Sequence, residues 1–218
     1  MTIEELVAFG SSLDPDVAER LYGLGIFPMP VADGYGWFYP ETRAVVMLGA
    51  WPLHCPRSTL SLVRKYRVGI DLDAMAMVRM CSETPRDGGW IDESMIEFYA
   101  ALNNRGVLHS VEVRGAEDEL VGGLFGVAAG GIFVGESMVH RVPNASKLAF
   151  FVLAGVAHRL GYQVIDGQWP TDHLTKLGFR TLRGDRYSKL LATLGGQAPE
   201  PFKRGYLEPD ELRLRDPW

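Results

Sequence analysis

The sequence is poor in cysteine, has no long uncharged apolar run and carries no excess of positive charge. Cys55 and Cys81 are its only cysteines. Their spacing matches neither a disulfide framework nor a metal motif, which predicts a reducing, cytoplasmic compartment. Without about 20 successive apolar residues, no transmembrane helix is expected, and the acidic start MTIEELVAFG argues against a basic targeting segment. The net charge of -5 argues against a protein that coats nucleic acid over its whole surface.

The histidines also lack a pattern that would indicate catalysis or metal binding. Their positions show neither metal-ligand spacing nor a Ser-His-Asp order, so no metal site is expected. The five histidines are His54, His109, His140, His158 and His173.

Positive charge is concentrated in one segment. Residues 42 to 70 contain five basic residues and no Asp or Glu, whereas acids dominate from Asp71 to Glu119. A local basic patch on an acidic protein can attract phosphates, although a solvated surface without function accounts for it equally well.

Periodicity and turn residues predict an α+β protein with a mostly antiparallel sheet. Asp14 and Pro15 begin a short helix in DPDVAERLYGLG, and RSTLSLVRKY is typical of a second helix. GWFYP, RAVVML and RVGIDLD are typical of strands. Beyond the loop TPRDGGW and a helix, three strands, VLHSVEVRG, ELVGGLFGVAAG and GIFVGES, precede an apolar helix over 145 to 160. We expect a small α/β N-terminal domain over 1–70, a larger domain over 71–195 and an extended tail over 196–218.

The order of elements in the larger domain is that of an N-acetyltransferase-like (GNAT) fold. Such domains hold the CoA pyrophosphate on backbone N–H groups of a Gly-rich turn at a helix start. Here the turn is HRVPNAS, which has no glycine, and Pro143 has no N–H to donate. The sequence therefore favours the fold over a CoA site.

Three polar residues follow or end apolar strands and are candidates for chemistry. Glu136 lies at the end of the predicted strand GIFVGES. Asp166 and Gln168 are two residues apart in VIDGQ, so on a strand both side chains project from one face. The alternative is that Asp166 only caps or pairs with a neighbour.

Several stretches together resemble the bacterial leucyl/phenylalanyl-tRNA–protein transferases, and the resemblance covers about residues 13 to 194. They are GIFPM, GGWID, HSVEV, LVGGLFGVAAGGIFVGESM, NASK, IDGQ and TDHLTKLG. Enzymes of that family move Leu or Phe from charged tRNA to the N-terminal amine of proteins that begin with Arg or Lys, which marks them for N-end-rule degradation. The resemblance implies a GNAT-like C-terminal domain, aminoacyl-tRNA and an acceptor protein as partners, and no cofactor.

The resemblance also implies roles for the three polar candidates. Asp166 and Gln168 match the family's proposed catalytic relay. Because a neutral amide is a very poor base, we expect Asp166 to be the charged partner and Gln168 to position the amine by hydrogen bonding. Glu136 would hold the acceptor's cationic group or the ribose hydroxyls.

Further positions match family sites for the donor. Trp90 and Tyr99 match residues that stack on the terminal adenosine, with Trp37 and Met29 as weaker candidates, since many members have Trp where this chain has Met29. An apolar pocket for the donor side chain is expected from Leu124, Phe133, Phe150, Leu153 and Ile165. Contacts to tRNA phosphates are expected from Arg57, Arg64, Lys65 and Arg67. For the aromatic and apolar positions, an ordinary core role is the alternative.

Three other functions remain open on the sequence. A relative could move an aminoacyl group from tRNA to a small-molecule amine, for which the sparse basic stretch and Met29 are arguments. The other two are a CoA-dependent N-acetyltransferase, disfavoured by HRVPNAS, and a catalytically silent tRNA-binding module, disfavoured by the three polar candidates. Donor preference among Leu, Phe and Met is also left open.

Overall fold

The computed structural model describes residues 5–85, 89–194 and 196–212. Part of the predicted loop TPRDGGW (residues 86–88), the first four residues of the predicted N-terminal domain, residue 195 and the last six residues of the predicted tail lie outside this range.

The N-terminal segment forms a helix and a small sheet. Helix α1 (Pro15–Gly23) begins where predicted, because the Asp14 side chain accepts a hydrogen bond from the backbone N–H of Asp16 at 2.8 Å. One strand before this helix in the sequence and two strands after it form an antiparallel sheet of order β1-β3-β2. Its strands are β1 (Leu6–Gly10), β2 (Phe27–Val31) and β3 (Gly34–Phe38). The sequence predicted only the last of these.

A second sheet of eight strands forms the centre of the molecule, in the order β10-β4-β9-β8-β7-β6-β5-β11. Its neighbours are antiparallel except for the β8–β9 pair, so the α+β prediction is confirmed. The strands are β4 (Thr42–Met47), β5 (Arg67–Ile70), β6 (Leu108–Arg114), β7 (Leu120–Ala129), β8 (Ile132–His140), β9 (Val164–Asp166), β10 (Arg180–Arg183) and β11 (Gly205–Tyr206).

This sheet draws strands from all three predicted segments. Strands β4 and β5 lie within residues 1–70, and β11 lies within the predicted tail. All three pair with neighbours in the same sheet, so no break in the sheet marks residue 70 or 195. The domain division stays a prediction.

Helices cover both faces of the large sheet, and the sheet separates two apolar cores. Helix α5 (Ala145–Leu160) is buried over most of its length against one face, whereas α3 (Ala74–Glu83) and α4 (Glu93–Asn104) pack on the other.

The predicted helix over residues 57 to 66 is shorter in the structure, because α2 (Arg57–Leu60) gives way to a 3-10 turn over Ser61–Arg64. The remaining helices are α6 (Asp172–Leu177) and α7 (Gly184–Leu194).

In the part of the chain that the structure describes, no helix combines the length and apolar character needed to cross a bilayer.

Candidate active site

A cavity of about 420 Å³ lies where the two parallel strands of the large sheet separate. The β8–β9 register covers only Ile132–Val134 against Val164–Asp166. The cavity is lined by residues of β8 beyond this pairing, by the residues that follow β9, and by side chains from both apolar cores. Its volume is that of a typical small-molecule site.

A β-bulge directs Glu136 into this cavity. Strand β8 continues to His140, so the prediction that the strand ends at Glu136 is wrong. In the β7–β8 register, Gly126 faces Gly135 and Phe125 faces Ser137, which leaves Glu136 without an opposite residue. Because a bulge bends its strand and turns a side chain out of the regular alternation, a carboxylate lines the cavity in the middle of a buried strand.

The Glu136 carboxylate is buried and hydrogen-bonded by neutral donors. The Tyr99 hydroxyl donates to Oε2 at 2.8 Å, and the Gln168 side-chain Nε2 donates to Oε1 at 3.2 Å. Burial raises the pKa of Glu136 to about 7, against the hydrogen bonds, which lower it. The nearby Tyr22 hydroxyl is buried and makes no hydrogen bond of normal geometry to any residue that the structure describes. Glu136 therefore changes charge close to neutral pH.

Asp166 has a different environment, a fully buried ion pair with Arg43. Nε of Arg43 donates to Oδ1 at 3.3 Å, Nη2 donates to Oδ2, and the Tyr187 hydroxyl donates to Oδ2 at 2.5 Å. The guanidinium lies over the Phe27 and Tyr187 rings, 5.0 and 4.6 Å from their centroids, and donates to the Gly25 carbonyl at 2.8 Å. The charge of Asp166 is thus balanced within the protein.

Gln168 reaches the cavity by a turn of the backbone and not by strand alternation. Strand β9 ends at Asp166, and Gln168 has a left-handed φ of 63°. The prediction that both residues project from one face of a continuous strand is therefore wrong. The Gln168 backbone N–H donates to Oδ1 of Asp166 at 2.8 Å, and its side chain bonds Glu136. A hydrogen-bond chain thus joins all three polar candidates, which all line the cavity.

The next residue anchors this turn. The Trp169 indole N–H donates to Oε2 of Glu5 at 3.1 Å, and its ring meets Phe27 edge-on at 4.7 Å. A half-buried aromatic ring whose N–H is hydrogen-bonded limits the movement of its backbone. The left-handed conformation of Gln168 is therefore supported from the side of the small sheet.

The apolar part of the cavity contains all the predicted pocket residues. Side chains from β7, β8, α5 and β9 form the walls of this part, together with α6 and Phe179. The predicted members found there are Leu124, Phe133, Phe150, Leu153 and Ile165, and further members are Met138, Leu177 and Phe179.

Of the four predicted adenosine contacts, only Trp90 lines the cavity. Tyr99 is fully buried, and its ring packs edge-on against Trp90 at 6.3 Å and Phe125 at 5.0 Å. Trp37 and Met29 lie on adjacent strands of the small sheet. Trp90 therefore lies at the site, whereas Tyr99 contributes a hydrogen bond to Glu136 and no surface for stacking.

The predicted phosphate-binding residues lie on the surface, outside the cavity lining. Arg57, Arg64 and Lys65 are exposed on α2 and the turn that follows it. Arg67 is exposed too, but Nη2 lies 2.9 Å from Oδ1 of Asp118, and its guanidinium covers the Tyr206 ring at 4.1 Å.

Among residues 5–85, 89–194 and 196–212, no group of three or more His, Cys, Asp or Glu side chains is arranged to hold a metal ion.

The chain is similar over most of its length to proteins of one family. A family model described as leucyl/phenylalanyl-tRNA protein transferase matches residues 47–192. The leucyl/phenylalanyl-tRNA–protein transferases of Pseudomonas putida W619 and Pseudomonas fluorescens Pf0-1 are 41% and 42% identical to it over 194 residues, 86% of this chain and 84% of each relative. That of Sulfurimonas denitrificans is 38% identical over 190 residues, 85% of this chain and 82% of the relative.

The chain belongs to the leucyl/phenylalanyl-tRNA–protein transferase family. The family resemblance found in the sequence is confirmed, and the chain is an aminoacyltransferase of this family. The matched range 47–192 contains the whole cavity lining, whereas Arg43 and the tail beyond residue 195 lie outside it.

Sequence reasoning in this transferase missed the groups that hold the polar candidates. Arg43 was seen only as one of five basic residues, although a single Arg inside the apolar strand TRAVVM is a signal for a buried ion pair. Tyr187 lies in an ordinary amphipathic helix and gave no signal. Tyr99 was found, but for its ring and not for its hydroxyl.

Proposed function

We propose that this protein transfers Leu or Phe, with Met as a further donor to be tested, from aminoacyl-tRNA to the N-terminal amine of proteins that begin with Arg or Lys. The reaction would take place in the cytoplasm and mark the acceptor for N-end-rule degradation. One observation carries the proposal: in a member of this family, a single cavity joins an apolar pocket to Glu136 and Gln168.

The apolar end of the cavity suits the donor side chain. Its walls are aliphatic and aromatic, so they select for volume and hydrophobicity and accept both Leu and Phe. A charged donor would lose its hydration there without gaining a partner.

The polar end suits the attacking amine. In the reaction a C–N bond forms to the aminoacyl carbonyl, the ester C–O bond to ribose breaks, and the proton lost by the amine goes to the ribose oxygen. The side-chain nitrogen of Gln168 donates to Glu136, so the oxygen of the same amide is the atom left to act as an acceptor. That oxygen can accept a hydrogen bond from the amine and aim its lone pair.

Glu136 would act in its ionised form, holding the acceptor's cationic group or the ribose hydroxyls. Its partners in the described chain are neutral, so a substrate cation would meet an uncompensated buried carboxylate. Charge-assisted hydrogen bonds of this kind contribute about 1.5–3 kcal/mol.

Asp166 would contribute through Gln168. Its charge is already balanced by Arg43, and Oδ1 accepts a hydrogen bond from the Gln168 backbone N–H, which fixes the turn. We therefore propose that the relay of these two residues is positional.

Trp90 would supply the stacking surface for the terminal adenosine, since it is exposed in part and lines the cavity. Base stacking on one aromatic side chain contributes ~1–3 kcal/mol. Arg57, Arg64 and Lys65 would add phosphate contacts that weaken as salt increases.

We also infer a GNAT-like fold for the larger domain. The support is the run of antiparallel strands β6, β7 and β8, followed by α5 and by β9 parallel to β8, with a cavity where the last two strands separate. At the start of α5, Pro143 offers no N–H and Asn144 is left-handed without a side-chain cap, which argues against a CoA pyrophosphate cradle.

Mass spectrometry of an Arg-starting peptide after incubation with a mixture of charged tRNAs tests the proposal. We expect the mass of the peptide to increase by one Leu or Phe residue, and an Asp-starting peptide of the same length to remain unchanged. An unmodified Arg peptide alongside aminoacylation of a small-molecule amine would favour the alternative acceptor. Acetyl transfer from acetyl-CoA would contradict the proposal.

A further inference from the structure

A residue of the C-terminal tail lies directly behind the wall of the donor pocket. The Phe202 ring meets the Phe133 ring edge-on, with centroids 5.9 Å apart, and stacks on Tyr162 at 5.1 Å. Phe133 lines the cavity, whereas Phe202 does not. Phe202 therefore forms a second layer, which touches the pocket wall from the side away from the donor.

The tail is fixed on both sides of Phe202. The Glu200 backbone N–H donates to the Leu160 carbonyl at 2.8 Å, and the Arg204 side chain donates to the Leu72 carbonyl at 2.7 Å. Beyond it, β11 pairs with β5. Phe202 is 8% exposed, so its position is set by the fold and not by a loose end of chain.

Phe133 is confined between this ring and the backbone of β7. A Cβ atom built on Gly126 would lie 2.5 Å from Cε1 of Phe133, so the ring rests against the glycine backbone and cannot move further that way. Its contact with Phe202 limits movement toward the tail. The ring of Phe133 thus has a fixed place as long as Phe202 is present.

We propose that Phe202 determines donor specificity by holding Phe133 in place and so setting the size of the pocket. This rests on the proposed function, because it assigns a residue to the selection of the donor side chain. Phe202 is a positioning residue and does not touch the substrate. It lies outside the matched family range of 47–192, so the tail would tune a pocket whose walls belong to the family's common part.

The physical reason is that an apolar pocket selects its ligand mainly by volume. Shortening Phe202 leaves space into which Phe133 can turn, and the pocket gains room at that end. A larger pocket favours the aromatic donor over the smaller one, since Leu leaves part of the added space empty. Loss of a purely structural residue would weaken transfer of both donors alike.

The test compares Phe202→Ala and Phe202→Leu with the wild-type protein in a competition between Phe-tRNA and Leu-tRNA for an Arg-starting peptide. We expect the ratio of kcat/KM for Phe over Leu to rise about threefold to tenfold in Phe202→Ala, and less in Phe202→Leu. The matched control is Leu207→Ala, which shortens another apolar residue of the same tail. It should leave the ratio unchanged.

Binding of amide-linked phenylalanyl- and leucyl-adenosine gives a second measurement, independent of transfer. The ratio of the two Kd values should shift in the same direction as the kinetic ratio. If Phe202→Ala does not fold, as judged by circular dichroism, Phe202→Leu decides. An equal loss for both donors in folded Phe202 variants, or an equal shift in Leu207→Ala, would overturn the inference. A wild-type protein that transfers neither donor would contradict the proposed function instead, and the analogue Kd values would still decide the role of Phe202.

Discussion

Glu136 and Asp166 are two buried carboxylates on neighbouring strands, and Gln168 forms a hydrogen bond with each of them. They differ in whether the protein supplies a positive charge beside the carboxylate. Asp166 is matched by the Arg43 guanidinium and by Tyr187, so its charge is part of the fold. Glu136 is held only by neutral donors among the described residues, and burial raises its pKa to about 7. The fold uses one negative charge internally and leaves the other for a partner from outside.

The difference teaches which carboxylate is available to a substrate. A buried charge with a protein counter-charge contributes little to binding, because its partner is already present. A buried charge without one destabilises the folded protein and can recover that cost when a cation or hydroxyl arrives. We therefore assign substrate binding to Glu136 and positioning to Asp166.

Replacing Asp166 should give the largest effect. Asp166→Ala leaves the Arg43 guanidinium buried without its partner, and we expect the free energy of unfolding to fall by ~3–5 kcal/mol. Urea unfolding followed by circular dichroism measures this. The double variant Arg43→Met, Asp166→Leu serves as control, because removal of both charges should recover most of the loss. A single variant as stable as the wild type would contradict the structural assignment of this ion pair.

Replacing Glu136 should change stability in the opposite direction. The folded pKa of about 7 lies above the value of 4.5 for a free Glu, so the folded state binds the proton more tightly. The stability that this group contributes is therefore lost as pH rises from about 4.5 to 7 and stays constant above that window. Glu136→Gln, which stays neutral, should exceed the wild type in stability by about 1–3 kcal/mol at pH 8 and by little at pH 5.

The measurement is urea unfolding of both proteins at the two pH values. A Glu136→Gln variant that is less stable than the wild type at pH 8 would show that the carboxylate has a protein counter-charge after all, and the contrast with Asp166 would disappear.

Removing the Tyr99 hydroxyl should have the smallest effect. Its hydrogen bond lowers the pKa of Glu136, so Tyr99→Phe should raise that pKa by about 0.5–1 unit. The midpoint of the pH-dependent stability change should move upward by about half that amount, because only the upper end of the pH window follows the pKa of the folded state. Tyr206→Phe is the control, since that hydroxyl bonds Asp118 at the surface. An unchanged midpoint would place the control of Glu136 elsewhere.

The sequence was sufficient for most elements and for the identity of the three polar candidates. Local sequence signals predicted the helices: Asp14 caps α1, and α5 spans the predicted residues 145 to 160. The structure adds the C-cap of α5, Gly161, which has a left-handed φ of 93°. The family resemblance supplied the pocket residues, which line one cavity.

The geometry of the polar cluster could not be predicted, because it depends on departures from regular structure and on distant partners. A pattern of alternating residues assumes an unbroken strand, so it could reveal neither the bulge at Glu136 nor the left-handed turn at Gln168. Arg43 and Asp166 are 123 residues apart, and nothing local to either identifies the other. The raised pKa of Glu136 results from burial, and the degree of burial of one side chain cannot be read from the sequence.

The most direct test of the account is the single-turnover rate of Leu transfer to an Arg-starting peptide at pH 6 and pH 8, in the wild type and in Glu136→Gln. Titration of the attacking amine affects both proteins equally and cancels in the ratio of their rates. With a pKa of about 7, the ionised fraction of Glu136 increases about tenfold between these pH values. We predict that the rate ratio of wild type to variant increases by nearly the same factor. A ratio that is equal at both pH values would contradict the claim that ionised Glu136 serves the substrate.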